Sequence, residues 1–387
     1  MSLDHTPTPA ADPAGIEVLG MVATNDASET HGSYEDGVVD GDYLARFAQA
    51  HEASGFDRVL IGYSATTPDG FAVASHVLHH TERLKVLIAH RPGFVQPSVV
   101  ARKLATLDQL TGGGRVAIHH ISGGDEPDQR RDGDRVGHDD RYRRTAEFMT
   151  VLRAVLESPT PVDFSGEFYD FEGAFSRVKP CGPDGIPLYF GGASEAAVRV
   201  GAEHADVYML WGEPLDDIAA RIAAVRQVAA EYGRTPRFSL SCRPILADTE
   251  DAAWERAEEI RSLTAARIPS GAGNTPGGGL PGRRTNSTSV GGQRLRQQAA
   301  QAEVHDERLW YGVAQVTGSA SNSTALVGTP AQVAEALLRY HDIGVDAFLI
   351  RGFDPLDDAV DYGRELIPLV RQGARTGALQ GAGVAPG

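Results

Sequence analysis

Eight times along this chain, a short and continuous apolar run is followed by a longer stretch of helical spacing. The runs are Ile16–Thr24, Arg58–Tyr63, Leu84–His90, Val116–Ser122, Leu188–Gly192, Val207–Trp211, Arg237–Leu246 and Ala347–Phe353. The helical stretches are Asp42–Ser54, Phe71–His80, Pro97–Leu110, Asp140–Glu157, Glu195–His204, Leu215–Tyr232, Thr249–Ala266 and Pro330–Ile343, with Leu356–Arg371 closing the series. Strands that are apolar without alternation are buried on both faces, which is the signature of a parallel sheet under helices. Eight such units predict an α/β fold of the TIM-like (β/α)8 barrel type. No GxGxxG follows the first run, so a doubly wound dinucleotide fold loses its main support. At 387 residues the chain is long enough to bury a full core without metal or disulfide staples.

Two segments interrupt the pattern. Val162–Ala174 alternates around a Ser-Gly turn and reads as a hairpin. Pro269–Gly292 is rich in Gly, Pro and Ser and has no apolar face, so it reads either as a lid or as a disordered insertion. The domain reading is a leader over 1–14, one barrel domain over 15–372 and a loose Gly/Ala-rich tail over 373–387. The leader lacks the basic and apolar regions of a signal peptide, and no apolar run is long enough to span a bilayer. Fifty-two acidic residues against 36 basic ones give a net charge of −16, which repels nucleic acid. Two cysteines, Cys181 and Cys242, are too few for a disulfide framework or a four-cysteine zinc site, and a cytoplasmic location is expected.

Barrel chemistry sits at the C-terminal strand ends. Those ends carry Asn25, then Tyr63, then Ala89 with His90 and Arg91, then His119, His120 and Ser122 before Gly123-Gly124-Asp125. The later strands end at Gly191-Gly192-Ala193-Ser194-Glu195, Trp211-Gly212-Glu213, Ser241 with Arg243, and Arg351 with Phe353. The GGASE step offers free helix N–H groups to an anion, and equally makes an ordinary turn with Ser194 as the helix cap. His138 and Tyr142 lie four apart at a helix start and share a face, where they hold a phosphate or ring edge, or decorate the surface. His119 and His120 are adjacent in a strand and point to opposite faces, so they do not ligate one metal together, and no metal site is expected. Trp211 can wall a pocket for a planar ring or belong to the rim of the core. Arg91, Arg243 and Arg351 end three strands and read either as an anion clamp or as separate salt bridges.

The ordered segments HRPGFVQPSVVARKLATLDQLTGGGRVAIHHISGGD, GHDDRYRRTAEF, LYFGGASEAA and LWGEP resemble the bacterial luciferase-like flavin monooxygenases, in particular the alkanesulfonate monooxygenase branch. The likeness runs from about Gly15 to Arg371. It implies reduced FMN supplied by a separate NAD(P)H:flavin reductase, O2 as co-substrate, a flavin-peroxide as oxidant and a homo-oligomer, dimer or tetramer. By motif match, FMN contacts Tyr63, Ala89, His119, Ser122, His138, Tyr142, Ser194 and Glu195. The Gly-rich insertion, about 269–300, corresponds to the family's mobile lid, which keeps water from a reactive oxidant. On the substrate side the pattern departs. Asn25 stands where the branch has a His, Thr67 falls near its Cys, Ser241-Cys242-Arg243 replaces RxH, and Arg351-Gly352-Phe353-Asp354-Pro355 replaces SGYPH. The catalytic set expected from this is Asn25 and His119 at the oxidant, Arg243 and Arg351 on a polar head group, and Trp211 along the pocket. The expected activity is oxidative cleavage of a small organosulfur molecule, a sulfonate or sulfone. Alternatives are cleavage of a nitrogen heterocycle such as riboflavin, hydride transfer with a deazaflavin, and flavin binding without chemistry.

Overall fold

The computed structural model describes residues 15–32, 37–122, 126–267, 289–319 and 324–376. In chain order the first elements are β1 (Glu17–Val22), α1 (Gly41–Ala53), β2 (Arg58–Ile61), α2 (Gly70–His79), β3 (Lys85–His90), α3 (Pro97–Leu110), β4 (Val116–His120), α4 (Glu126–Arg131) and α5 (His138–Glu157). Then come the hairpin β5 (Val162–Ser165) and β6 (Asp170–Ala174), followed by β7 (Leu188–Gly191), α6 (Glu195–His204), β8 (Val207–Trp211), α7 (Leu215–Glu231), β9 (Arg237–Leu246) and α8 (Glu250–Arg267). The last part holds α9 (Val290–Gln301), β10 (Val304–His305), β11 (Leu309–Trp310), α10 (Gly312–Thr317), β12 (Ala325–Gly328), α11 (Pro330–Asp342), β13 (Ala347–Ile350), α12 (Pro355–Asp361), a π-helical turn (Tyr362–Leu366) and α13 (Ile367–Thr376).

Eight parallel strands, β1, β2, β3, β4, β7, β8, β9 and β13, form a closed ring in that order, the expected TIM-like barrel. The eight apolar runs of the sequence are these eight strands, and Val162–Ala174 is the expected hairpin. Local chemistry sets several boundaries. Asp40, Asp69 and Ser194 cap their helices by accepting backbone N–H groups, and Pro97 opens α3 where no N–H partner is needed.

Strand alternation sorts side chains into two layers. Outward residues such as Val59, Val86, Ile118, Phe190, Tyr208 and Phe238 pack under the helices. Inward residues Leu19, Leu87, Ala117, Tyr189, Val207, Ala347 and Leu349 fill the lumen. The floor is polar: Glu17 takes Arg58 at 3.0 Å, the Tyr189 hydroxyl at 3.1 Å and Arg237 at 3.5 Å. Above the apolar layer the inward positions Gly62, Ala89 and Gly191 are small, and this leaves room at the mouth.

The sequence did not show how the chain is built between α8 and α11. β9 is the longest strand, and it serves two sheets. Its first half pairs with β8 and β13, while Arg243–Leu246 pairs with β12, which carries β11 and β10 outward. A separate small core of Ile245, Ala257, Trp310, Val327 and Phe353 lies under this extension. Residues 1–14, Gly123-Gly124-Asp125, residues 268–288 with most of the expected lid, and the tail beyond Thr376 lie outside the described residues. The remainder of the segment expected as lid is ordered as α9, and the final helix runs on to Thr376 rather than ending near Arg371.

Candidate active site

The mouth is assembled from loops that follow the barrel strands. On β4 the side chains divide as the spacing requires. His120 faces outward against Phe148, whose ring centroid is 5.6 Å away. His119 faces the lumen beside Gly191. Burial holds the His119 imidazole down at about 4, so it is neutral near pH 7, and its Nδ1 has no partner among the described residues. Ser239, on the same inner wall, is buried and its hydroxyl is likewise without a partner there. Buried polar atoms without partners are uncommon in native proteins, and at a lumen-facing position an ordered water or a bound molecule can supply the missing hydrogen bond. Ser239 lies one inward position above Arg237 of the floor, deeper in the lumen than the mouth, and stands apart from His119.

From His119 the mouth leads to the β7–α6 turn. Gly192 is required there, because a Cβ would come within 2.5 Å of the Ala197 Cβ. Ser194 caps α6 by accepting from the Ala197 N–H at 3.2 Å and shares a hydrogen bond with Tyr142 of α5. The Tyr142 phenol is pushed up by burial, and His138 packs edge-on against its ring at 5.0 Å. A cavity of about 420 Å³ opens at this corner, bounded by Tyr142, Ala146, Ser194, Arg199 and Val200. Glu195 stands at the same helix start, but its side chain is exposed and pairs with Arg199 at 3.2 Å, so it contributes only a backbone N–H to this corner.

On the opposite side, Tyr63 donates to Asp132 at 2.8 Å while the Arg91 guanidinium lies over its ring at 4.7 Å. Arg91 binds Asp128 at 2.5 Å and Asp132 at 3.2 Å. The first of the three strand-end arginines is therefore a local salt bridge that fixes Tyr63, apart from the other two. Ser122 is buried and bonded to Thr145 at 2.9 Å, which ties the β4 end to α5. Ala89 is a small inward residue between Leu87 and the mouth.

Arg243 and Arg351 do come together, around a residue the sequence reading missed. Glu29, on the loop after β1, takes both terminal nitrogens of Arg243 at 2.7 and 3.0 Å and Arg351 Nη2 at 3.4 Å. Arg243 also donates to the Gly352 carbonyl at 2.6 Å, and its guanidinium stacks 3.4 Å from the Phe353 ring centroid. The Glu29 carboxyl is fully buried; burial alone raises it, but the attraction of Arg243 and Arg351 outweighs this and holds it down at about 2. Asn25 stands half-buried at the start of this loop, its carbonyl accepting from the Ala27 N–H at 3.0 Å. Thr30 donates to the Phe353 carbonyl at 3.1 Å, stitching the β1 and β13 loops together.

Trp211 ends β8 half-buried, and the backbone of α9 lies on its indole: a Cβ on Gly291 would sit 2.9 Å from the ring. Glu213, two residues on, is buried and takes Arg294 at 2.5 Å and Gln298 at 2.9 Å, so it seats α9 at the rim. Among the described residues no group of three or more His, Cys, Asp or Glu is placed to hold a metal ion, and no helix is long and apolar enough to cross a membrane.

A closed parallel barrel with small inward residues, unpartnered polar atoms and a helix N-terminus around one mouth defines an enzyme of the TIM-barrel class. More particularly, the family model for luciferase-like monooxygenases matches residues 18–347, and the chain belongs to that family. Among solved structures it is similar to a riboflavin lyase holding modified FMN and riboflavin, with a TM-score of 0.71 at 19% identity over 92% of both chains. It is similar to a long-chain alkane monooxygenase, with a TM-score of 0.71 at 17% identity over 94% of this chain and 92% of the other. An F420-dependent secondary alcohol dehydrogenase with an F420–acetone adduct matches at a TM-score of 0.65 and 18% identity, over 92% of this chain and 99% of that one.

Proposed function

We propose that this protein is the oxygenase component of a two-component system in the cytoplasm. It takes reduced FMN from a separate NAD(P)H:flavin reductase and uses O2 to cleave a small organosulfur molecule, a sulfone or sulfonate. The observation that carries the reading is the mouth itself. Small inward residues Gly62, Ala89 and Gly191 leave room beside the unpartnered buried His119 Nδ1, and Gly191-Gly192 lead from it to the Tyr142–Ser194 corner at the start of α6. A flavin mononucleotide matches that order of groups, with a planar ring bearing hydrogen-bonding edges at one end and a phosphate at the other.

When bound, the reduced flavin supplies the electrons that activate O2. The chain does the rest. Tyr142, Ser194 and the first N–H groups of α6 hold the phosphate. Tyr63, fixed by Arg91 and Asp132, walls the ring. His119 stays neutral and offers or accepts a hydrogen bond without adding charge to the lumen. Asn25 adds a second polar group at the mouth. Arg351, backed by Glu29 and Arg243, meets the polar end of the substrate, and Trp211 with α9 covers its apolar part and excludes water.

The indole of Trp211 under α9 also suits a flat heterocycle, and this favours a second reading in which the substrate is a riboflavin-like ring. One experiment separates these readings. Reduced FMN and, in parallel, reduced F420 are mixed with oxygenated buffer and the protein, with a sulfone, a sulfonate or riboflavin present. Oxygen uptake that requires substrate and departs from the reoxidation rate of free reduced FMN, with sulfite released from the sulfonate or a sulfinate from the sulfone, is the expected result. Ring fragmentation without sulfite supports the heterocycle reading. Reoxidation identical to that of free flavin, together with tight F420 binding, overturns the oxygenase reading.

A further inference from the structure

The chain has four methionines. Met1 lies outside the described residues, and Met149 of α5 is buried at 1% exposure in the core beneath the outer helices. The other two face the lumen. Met21 is the next inward residue after Leu19 on β1, and Met209 the next after Val207 on β8. Leu19, Leu87 and Ala117, deeper in the lumen, are fully buried, whereas Met21 and Met209 are half-buried, so the solvent that touches them enters from the mouth. A Cβ on Gly62 would find the Met21 Cε at 2.9 Å and, its chain neighbours aside, no other described atom within 4 Å, so this thioether borders open space. A Cβ on Gly191 would lie 3.5 Å from both the Met209 Cβ and the His119 Cε1, so Met209 stands next to His119 across a bare stretch of backbone. The Met21 sulfur accepts from Arg351 Nη1 at 3.9 Å, a weak contact because a thioether is a poor acceptor. Two thioethers thus line the mouth, while the third is shut away from it.

We propose that Met21 and Met209 are modification sites, converted to sulfoxides by hydrogen peroxide released at the mouth, and that this conversion weakens flavin binding there. The source of the peroxide rests on the oxygenase reading: a turnover that meets no substrate passes two electrons and two protons from reduced flavin to O2 and yields H2O2. In the second step the O–O bond breaks and one oxygen bonds to sulfur, which gives up two electrons. The other oxygen leaves as water. Each product is bulkier and polar where the thioether was apolar. At Met21 the new oxygen is a full acceptor, so the weak contact with Arg351 becomes a charge-assisted hydrogen bond. At Met209 a dipole is added beside the neutral His119. Uncoupled turnover therefore limits itself, and reduction of the two sulfoxides restores the site.

The test follows each methionine of the full chain by peptide mass spectrometry, in two arms. In the first, H2O2 is added without flavin. Met21 and Met209 are expected to oxidise at least about tenfold faster than Met149, which serves as the internal control. Fluorescence titration of the treated protein is expected to show FMN binding weakened about tenfold. A variant carrying Met21→Leu and Met209→Leu has no sulfur at the mouth, and the same treatment is expected to leave its own FMN affinity where it was. The wild-type arms decide the matter even if that variant does not fold. In the second arm, reduced FMN and O2 are supplied without substrate and with catalase in solution. Sulfoxides are expected at Met21 and Met209 despite the catalase, because the peroxide meets them before it reaches the solvent. Equal rates at the three methionines overturn the proposal, as does full FMN affinity once both mouth methionines are oxidised, or complete protection by catalase. FMN that fails to bind at all removes the oxygenase reading and the peroxide source together. Bound FMN with three methionines that react alike removes only the modification sites, so the two failures are distinct.

Discussion

At the scale of single residues, the Tyr142–Ser194 corner and the arginine corner show opposite relations between sequence and structure. Ser194 and Tyr142 are 52 positions apart by their numbers and meet through a shared hydrogen bond. Both were legible, because a Gly-Gly-Ala-Ser-Glu step and a His-x-x-x-Tyr pair each have a local geometry that follows from their own spacing. Glu29 had no such signal, since one carboxylate on a loop looks like any other until the fold brings Arg243 to it from 214 residues away. Ser194→Ala combined with Tyr142→Phe is expected to weaken FMN binding about tenfold while leaving riboflavin, which lacks the phosphate, nearly unchanged. Fluorescence titration of both flavins checks this, and equal losses for the two would move the phosphate elsewhere.

At the scale of elements, the part that sequence periodicity left blank is the one that covers the mouth. α9 has glycines at its start and few apolar residues, so its pattern is weak, and it is helical because tertiary contacts hold it. Ser289 caps it, Leu295 is buried beneath it, and Glu213 binds Arg294 and Gln298 from the barrel side. Glu213→Ala leaves Arg294 without its carboxylate, while Gln298 keeps Asp217 at 2.7 Å, and is expected to destabilise the attachment of α9 by about 1–3 kcal/mol. Limited proteolysis should then cut near α9 several times faster, with little change in the overall melting temperature; unchanged cleavage would mean that packing alone holds the helix. Gly291→Val drives a side chain into the Trp211 ring, and overpacking of this kind costs about 1–3 kcal/mol. A red-shifted tryptophan emission is the expected sign of α9 lifting from the indole, and an unshifted spectrum would show that the helix slides aside without exposing it.

At the scale of the whole molecule, the fold buries several histidines, in the lumen and beneath the outer helices, that must remain neutral. His51, His90 and His119 are buried, and burial holds each at about 4 against the ordinary 6.5. In the folded state they bind protons less readily than in the unfolded chain. Their contribution to stability is thus complete above about pH 6.5 and is lost as the pH falls from there towards 4. Each adds up to about 1.4 kcal/mol per pH unit to the slope within that window. Denaturant midpoints measured across the window are expected to fall steeply on the acid side and to stay nearly flat just above pH 7. A flat profile down to pH 4 would mean that these rings find partners on protonation.

The sequence by itself determined the architecture, the order of the strands and that only one of two adjacent histidines can face the lumen. These depend on short-range rules: the two-residue period of a strand, the 3.6-residue period of a helix, and the right-handed crossover that leaves eight β/α units few ways to close. Tertiary structure alone decided the pairing of Arg243 with Glu29, the division of β9 between two sheets, and the seating of α9 on Trp211. Each joins groups far apart in the chain, and desolvation and mutual geometry, which exist only once the barrel has closed, set their energies.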